Sequence, residues 1–319
     1  MSLLEPLTID DVRAARERIA ETITRTPLLR LHVDAPMEIY LKLENLQPIG
    51  SFKLRGATNA MRTLSAPSLA RGVYTASAGN MAQGVAWGAR ALGVPCTVVM
   101  PDSAPRTKVE ATERLGARVV SLSYEDWWQT LADHGRPGID GTFIHPVADR
   151  AVIAGNGTIG LEIVEDLPDV DAVLVPVGGG GLICGIATAV RALTPRARII
   201  GCEVSTSTPL TAAFDANAPV SVERTPSFVD GIGGRGVLPA MWPLLRALVH
   251  DTRVAPLADV IAAVRLLAER ARVVAEGAGA TPVAAALGAA PAWRRVICVV
   301  SGGNIDSSVL ARILNGETV

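Results

Sequence analysis

The sequence has almost no net charge and only four cysteines. With 30 lysine and arginine residues against 31 aspartate and glutamate residues, its formal net charge is -1. Nucleic-acid-binding proteins carry a basic patch and membrane-surface proteins a polybasic segment, so we expect neither kind of partner. The four cysteines, Cys96, Cys184, Cys202 and Cys298, stand singly in apolar stretches rather than in the paired spacings that bind zinc. We expect reduced core thiols of a cytoplasmic protein.

Segments typical of export or membrane spanning are also missing. Glu5, Asp10 and Asp11 stand where a secretory signal would have a positive flank and an uninterrupted apolar core. The most apolar long run, VLVPVGGGGLICGIATAV, contains a proline and four successive glycines, which is typical of a strand, a loop and a helix. What the chain does have is length and apolar content: 319 residues, 49% hydrophobic, suit one large domain or two ordinary ones.

Short β-branched runs alternate with helix-like segments along the chain. GVYTAS, PCTVVMP and ARVVSL flank two helix-like segments, and the pattern returns from DAVLVPV to RRVICVVSGGN. Such alternation is typical of βαβ units, and near-continuous apolar strands indicate sheets covered on both faces. The predicted fold class is α/β with two sheets. Ser103 is a predicted N-cap, Gly93 and Gly116 are predicted helix ends, and residues 121–146 are a candidate domain junction.

Three glycine-rich turns follow predicted strands, where ligands of open α/β sheets bind. In SAGNMAQG, backbone amides with the Ser77 and Asn80 side chains suit a carboxylate; the alternative is a glycine turn capped by the asparagine. In PVGGGGLICG, the amides of residues 178–181 suit a phosphate; the alternative is a merely tight turn. In VVSGGNID, Ser301 either bonds a ligand or caps the next helix.

The glycine block in PVGGGGLICG matches neither common nucleotide motif. No register gives the G-x-G-x-x-G spacing, and Ile186 stands where a P-loop requires lysine. A phosphate site without a nucleotide motif favours a small phosphorylated cofactor or substrate.

A single lysine, Lys53, stands in the stretch LENLQPIGSFKLRGATNA between Phe52 and a helix-forming run. Partial removal from water would lower its pKa and make its amine a nucleophile. The alternative is a solvated surface charge at a helix start.

Together, SFKLRGA, SAGNMAQG, PVGGGGL and SGGN resemble, in order and spacing, the motifs of the pyridoxal-phosphate enzymes of fold type II, the tryptophan synthase β-like group. Within it they are similar to the branch of threonine/serine dehydratases (threonine deaminases) and serine racemases. The resemblance implies two open twisted α/β domains with the active site in the interdomain cleft. We expect a large cofactor domain of residues 1–66 and 147–319, a small domain of residues 67–146, and a homodimer.

The implied activity is pyridoxal-phosphate-dependent elimination of water from L-threonine or L-serine, giving a 2-oxo acid and ammonia. Three alternatives stay open: a 3-hydroxyaspartate dehydratase, a serine racemase, and a catalytically silent protein that binds pyridoxal phosphate. The chain reaches Val319 soon after SGGN, so we expect no isoleucine inhibition through a regulatory carboxy-terminal domain.

The resemblance also implies roles for individual residues. Lys53 would hold the cofactor and act as the catalytic base, with Phe52 beside the ring, Asn80 at the phenolic oxygen and Ser301 at the pyridine nitrogen. The phosphate would be bound by main-chain amides of Gly178, Gly179, Gly180 and Gly181. The substrate would be bound at Ser77, Ala78, Gly79, Asn80 and Met81.

Departures from the branch refine these expectations. Ala78 replaces the second serine of the racemases, so we expect little racemase activity. Met81 replaces the usual histidine, and it either makes the pocket more apolar or packs the helix into the core. Glu203 is a candidate ligand of a divalent cation, although the expected second carboxylate is absent. Asp230 matches an Asp-Gly loop near the cofactor, and Glu276 either orients groups around the ring or sits at a helix end.

Overall fold

The computed structural model describes residues 4–288 and 293–319. Its strands are β1 (Leu28–Leu31), β2 (Glu38–Leu43), β3 (Val73–Ala76), β4 (Cys96–Pro101), β5 (Arg118–Leu122), β6 (Thr142–Phe143), β7 (Ala172–Pro176), β8 (Arg198–Val204), β9 (Asp251–Ala255) and β10 (Arg295–Val300). Its α-helices are α1 (Ile9–Ile19), α2 (Lys53–Arg62), α3 (Ala66–Ala70), α4 (Asn80–Leu92), α5 (Arg106–Arg114), α6 (Tyr124–Ala132), α7 (Arg150–Asp166), α8 (Gly181–Leu193), α9 (Pro209–Ala216), α10 (Trp242–Leu248), α11 (Leu257–Leu266), α12 (Gly277–Leu287) and α13 (Ser307–Leu314). A 3-10 turn (Glu44–Leu46) follows β2, and a π-helical turn (Leu267–Ala271) extends α11.

The larger sheet has six strands in the order β1-β2-β10-β7-β8-β9. All neighbours are parallel except β1 and β2, which pair antiparallel. Strand β7 is buried along its whole length, as a near-continuous apolar run predicts for a sheet covered on both faces. Apolar clusters lie on the two faces, one including Val283 of α12 and the other Ile183 of α8. The carboxyl ends of the parallel neighbours β7 and β10 therefore lie at the same edge of the larger sheet.

The smaller sheet has four parallel strands in the order β5-β4-β3-β6. Its core includes Met81 and Val85 of α4 packed with Met100 of β4. The strands of this sheet fall within residues 67–146, and those of the larger sheet fall outside that range, so the α/β fold with two sheets is confirmed. The domain boundaries themselves stay a prediction.

Local expectations had mixed outcomes. Gly93 ends α4 with φ of 68°, and Gly116 follows α5 with φ of 93°, so both helix ends are confirmed. The predicted cap Ser103 is wrong, because α5 begins at Arg106 after Pro105. A residue before proline is disfavoured in the helical region, which delays the helix start. The βαβ rhythm also continues through residues 121–146, where α6 and β6 complete the smaller sheet.

All four cysteines are free and buried, as expected. Burial raises the pKa of the Cys96 thiol to about 12, which leaves it unreactive near neutral pH. None of the helices in the described part of the chain is long and apolar enough to cross a membrane.

Candidate active site

Lys53 opens helix α2, and its amine is largely withdrawn from water. Its Nζ donates a hydrogen bond to the Pro146 carbonyl at 2.9 Å and lies 5.1 Å from the ring centre of Phe52. Burial lowers the pKa of the amine to about 8, although the Glu276 carboxylate acts in the opposite direction. The alternative of a solvated surface lysine is therefore wrong.

The glycine loop, residues 178–181, connects β7 to the first turn of α8. Gly180 has φ of 95°, a left-handed conformation that a side chain would strain. A Cβ atom on Gly179 would lie 2.4 Å from Cγ2 of Val147, so no side chain fits there. No side chain caps α8, and the first N–H groups of a helix lack intrahelical partners. The loop is thus a cradle of free amides at a helix N-terminus, which suits a phosphate.

A turn at residues 145–148, which the sequence analysis missed, joins the lysine to the glycine loop. Pro146 accepts the hydrogen bond from Lys53, and the next residue, Val147, packs on Gly179. His145 is 5% exposed, and its Nδ1 accepts hydrogen bonds from two backbone N–H groups of the turn. The only signal in the sequence is a His-Pro pair one residue after the strand β6.

Ser301 lies against the residue that precedes Lys53. Its carbonyl accepts a hydrogen bond from the Phe52 N–H at 3.0 Å. The residue is 3% exposed, and its hydroxyl makes no hydrogen bond to the residues that the structure describes. Helix α13 begins only at Ser307 and is capped by Asp306, so the capping alternative for Ser301 is wrong. A hydroxyl that takes part in no hydrogen bond among the described residues is available to a ligand heteroatom.

Asn80 bridges the two sheets at the start of α4. Its Nδ2 donates to both carboxylate oxygens of Glu276, at 2.9 and 3.1 Å. Its Oδ1 accepts a hydrogen bond from Asn304 at 2.8 Å, a contact that the sequence analysis did not predict. Burial raises the pKa of Glu276 to about 7, with the hydrogen bonds from Asn80 acting against it. Asn80 does not cap α4, since Gly79 occupies that position. Glu276 stands at the N-cap position of α12, as its second alternative has it, but its side chain makes no capping hydrogen bond and holds the Asn80 amide instead.

The proposed substrate segment lies in the turn before α4. Ser77 Oγ accepts a hydrogen bond from the Gly79 N–H at 3.2 Å, and the space beside Gly79 is open. The first N–H groups of α4, from Asn80 onward, lack intrahelical partners, which suits an anion. The Met81 side chain is 2% exposed and packs in the core of the smaller sheet, so the packing alternative is confirmed.

Two acidic residues of the sequence analysis have protein partners. Asp230 pairs with Lys108 of α5, which links the loop before α10 to the smaller sheet. The buried carboxylate of Glu203 accepts hydrogen bonds from the N–H groups of Leu210 and Thr211 and from the Thr211 hydroxyl. It therefore caps α9. Among residues 4–288 and 293–319, no group of three or more His, Cys, Asp or Glu residues is arranged to hold a metal.

A buried ion network that the sequence analysis did not foresee fixes the first turn of α2. The Arg55 guanidinium bonds Glu44 at 2.8 Å and Glu162 at 2.7 Å, and Lys42 approaches Glu162 at 2.6 Å. Burial would raise the pKa of Glu44, but the charge and hydrogen bonds of Arg55 hold it below its usual value. The two positive and two negative charges compensate one another. They anchor α2 two residues after Lys53.

The residues of the site match the chemical groups of pyridoxal phosphate. Lys53 offers a partly deprotonated amine for an aldehyde, the glycine loop offers amides for a phosphate, and Ser301 offers an unpartnered hydroxyl for a ring nitrogen. These three features lie around one space, because Phe52 bonds Ser301 and the Pro146–Val147 turn contacts both the lysine and the loop.

Comparisons with known proteins agree with this chemistry. Residues 19–302 match the family described as "Pyridoxal-phosphate dependent enzyme". The chain is 41% identical to the L-threonine ammonia-lyase of Thermotoga maritima, over 97% of the chain and 78% of that protein. It is 39% identical to the L-threonine dehydratase catabolic TdcB of Escherichia coli K12, over 97% and 96% of the two. The solved structure of maize serine racemase superposes with a TM-score of 0.88, at 31% identity and 98% coverage of both chains. The chain belongs to the family of pyridoxal-phosphate dependent enzymes.

Proposed function

We propose that the protein is a threonine/serine ammonia-lyase, which eliminates water from L-threonine or L-serine and releases a 2-oxo acid and ammonia. The observation that carries the proposal is the partly buried Lys53 amine, bonded to the Pro146 carbonyl and with its pKa lowered to about 8, next to the glycine loop and the Ser301 hydroxyl. The L-threonine ammonia-lyase and L-threonine dehydratase named above, at 41% and 39% identity, support the reaction type.

Lys53 has two roles in this proposal. Its amine holds the cofactor and, once the substrate has displaced it, its neutral Nζ takes the α-proton. A pKa of about 8 places a useful fraction of the amine in the neutral form near physiological pH. When bound, pyridoxal phosphate supplies the electron sink that accepts the charge left by that proton.

Ser301 directs the outcome toward elimination. A carboxylate at the ring nitrogen would keep that nitrogen protonated and strengthen the electron sink, whereas a neutral hydroxyl does not. The charge at the α-carbon is then stabilised less, and departure of the β-hydroxyl competes better with return of a proton. Water then hydrolyses the carbon–nitrogen bond of the elimination product. The oxygen of that water becomes the keto oxygen of the 2-oxo acid, and the nitrogen leaves as ammonia.

The substrate carboxylate is assigned to the turn before α4. The Ser77 hydroxyl and the backbone N–H groups beside Gly79 supply donors at a helix N-terminus. Asn80 would donate from Nδ2 to the phenolic oxygen of the cofactor in exchange for one of its two hydrogen bonds to Glu276, while Asn304 holds its Oδ1. The buried Met81 side chain shapes this segment from behind without offering a polar group.

A serine racemase is the second candidate, favoured by the close superposition on the maize enzyme. Inverting the α-carbon requires an acid on the face opposite the lysine, and Ala78 provides none there. Chiral analysis of L-serine incubations separates the two reactions, and we expect little D-serine. A 3-hydroxyaspartate dehydratase or a silent binding protein would instead show bound cofactor without products from threonine or serine.

The test is an assay of 2-oxo acid and ammonia release from L-threonine and L-serine by protein purified with pyridoxal phosphate. Lys53→Ala is expected to abolish both the visible band of lysine-linked cofactor and the products. Arg106→Ala, which changes a side chain that is 90% exposed, is the control. Full product release by Lys53→Ala would sink the proposal.

The proposal extends to the domain organisation and the assembly of the protein. We propose domain boundaries at residues 67–146 and a homodimer in the cytoplasm, whereas Glu203 stays only a candidate cation ligand. Because the Glu203 carboxylate already accepts three hydrogen bonds, we expect a chelator to cause only modest loss of activity. Complete loss that magnesium restores would contradict this, and light scattering tests the dimer.

A further inference from the structure

The side chain of His145 acts as an acceptor inside the turn at residues 145–148. Its Nδ1 accepts hydrogen bonds from the N–H groups of Val147 at 3.0 Å and Ala148 at 2.7 Å. A nitrogen that accepts two N–H groups carries no proton, so the ring is neutral and its proton resides on Nε2. Burial lowers the pKa of His145 to about 3, with His134 and Lys53 acting in the same direction.

The turn controls two parts of the site at once. The Pro146 carbonyl receives the Lys53 amine at 2.9 Å. Val147 contacts the glycine loop so closely that a Cβ on Gly179 would lie 2.4 Å from its Cγ2, and a Cβ on Gly181 would lie 3.1 Å from its carbonyl oxygen. Any shift of the turn therefore moves the acceptor of the lysine and the wall of the glycine loop together.

Few backbone N–H groups are present to stabilise the turn at residues 145–148. Because Pro146 has no N–H group, the backbone donors of the turn after His145 are the N–H groups of Val147 and Ala148. Both are used by Nδ1 of His145. Without that acceptor, two N–H groups in a partly buried turn lose their partner, and the turn must move to satisfy them.

We infer that His145 is a positioning residue, whose Nδ1 fixes the turn so that the Pro146 carbonyl holds the Lys53 amine in register with the glycine loop. The inference rests on the proposed role of Lys53 as the cofactor lysine. It assigns to His145 no contact with substrate or cofactor and no exchange of protons. The ring serves as a neutral acceptor throughout.

Two substitutions separate the acceptor from the bulk of the side chain. His145→Leu removes the acceptor and keeps an apolar side chain of related size. His145→Asn retains it, because the asparagine oxygen stands at the position of Nδ1 and asparagine commonly forms such turns. Val119→Ala is the control for general loss of stability, since β5 lies at the edge of the smaller sheet opposite β6.

Two measurements on the apoprotein bear on the inference. One is the pH midpoint for acylation of Lys53, which faces Glu276 as well as His145. The other is the affinity for added pyridoxal phosphate. In His145→Leu we expect a lower midpoint, because the carbonyl that stabilises the ammonium form is withdrawn, and about tenfold weaker affinity. His145→Asn and Val119→Ala are expected to keep both values.

A folded His145→Leu protein with unchanged midpoint and affinity would overturn the inference, as would a His145→Asn protein impaired as strongly as the leucine variant. Should His145→Leu not fold, nitrogen NMR of the wild-type imidazole decides: an unprotonated Nδ1 near neutral pH is required, and a protonated one refutes the inference. Covalent cofactor capture by Lys53→Ala would instead remove the assignment of Lys53, so the two failures are distinguishable.

Discussion

Lys53 is expected to react with amine reagents at a much lower pH than an ordinary lysine. Burial lowers the pKa of its amine from 10.5 to about 8, and the Glu276 carboxylate offsets part of that shift. At pH 7.5, a pKa of about 8 leaves roughly one quarter of the amine neutral, against roughly 0.1% for an unperturbed lysine. Because the neutral amine is the nucleophile, the fraction of Lys53 able to react is larger by roughly two orders of magnitude.

The composition makes this measurement direct, because the sequence contains only three lysines: Lys42, Lys53 and Lys108. Apoprotein is acylated with trace reagent between about pH 6 and about pH 11, and mass spectrometry follows each lysine. Lys108, which pairs with Asp230 and has a side chain 36% exposed, is followed alongside Lys53. Lys42 is fully buried beside Glu162 at 2.6 Å and is expected to label slowly at every pH. The midpoint of each profile, unlike its absolute rate, does not depend on access.

A substitution at Glu276 tests the sign of the electrostatic effect. Its carboxylate raises the pKa of Lys53, so Glu276→Gln is expected to move the Lys53 midpoint to a still lower pH. Loss of the hydrogen bonds that Asn80 donates to the carboxylate is limited, because glutamine keeps one acceptor oxygen. A wild-type midpoint near 10.5, or a midpoint that rises in Glu276→Gln, would refute the reasoning.

Three further substitutions have expected outcomes. Arg55→Met leaves buried carboxylates without their guanidinium and should lower the free energy of unfolding, measured with denaturant, by about 3–5 kcal/mol. The exposed Arg106→Met should leave that free energy unchanged, and equal losses in the two variants would contradict the role of the ion network. Gly179→Ala places a Cβ 2.4 Å from Val147 and should weaken pyridoxal phosphate binding at least about tenfold by titration, so unchanged affinity would argue against the cradle. Ala78→Ser should introduce D-serine formation that chiral chromatography detects, and its absence would show that a hydroxyl there does not suffice.

Much of the fold could be predicted from the sequence because parallel strands buried on both faces are continuous apolar runs. The segments VLVP and VICVV lie in β7 and β10, the two strands that precede the glycine loop and Ser301. The turns themselves were also predictable, since glycine is required where the backbone approaches a neighbour closely, as at Gly179. The Ser103 cap failed because the effect of Pro105 on the preceding backbone outweighed the capping preference of serine.

The contacts that complete the site could not be predicted in the same way. His145 acts through the carbonyl of Pro146, which lies 93 residues from Lys53 in sequence, and Asn304 bonds an asparagine 224 residues away. No local pattern encodes such pairs. The sequence does not predict the ion network either. Hydropathy predicts that the charged residues Lys42, Glu44 and Glu162 lie at the surface, whereas the fold buries all three. Their burial is tolerated only because Arg55 completes a compensated set.

The position of Lys53 at a helix start, rather than in a flexible loop, follows from how α2 is held. The helix packs against α4 of the smaller sheet and α7 of the larger one. A Cβ on Gly84 of α4 would lie 3.2 Å from the Lys53 carbonyl oxygen, and one on Gly155 of α7 would lie 2.5 Å from that of Arg55, so backbones meet directly there. This contact makes the first turn of α2 a rigid base for the amine. The positive end of the helix dipole also disfavours an ammonium group at that turn. Packing and electrostatics thus act together: the same buried helix start that orients the lysine keeps its amine partly neutral.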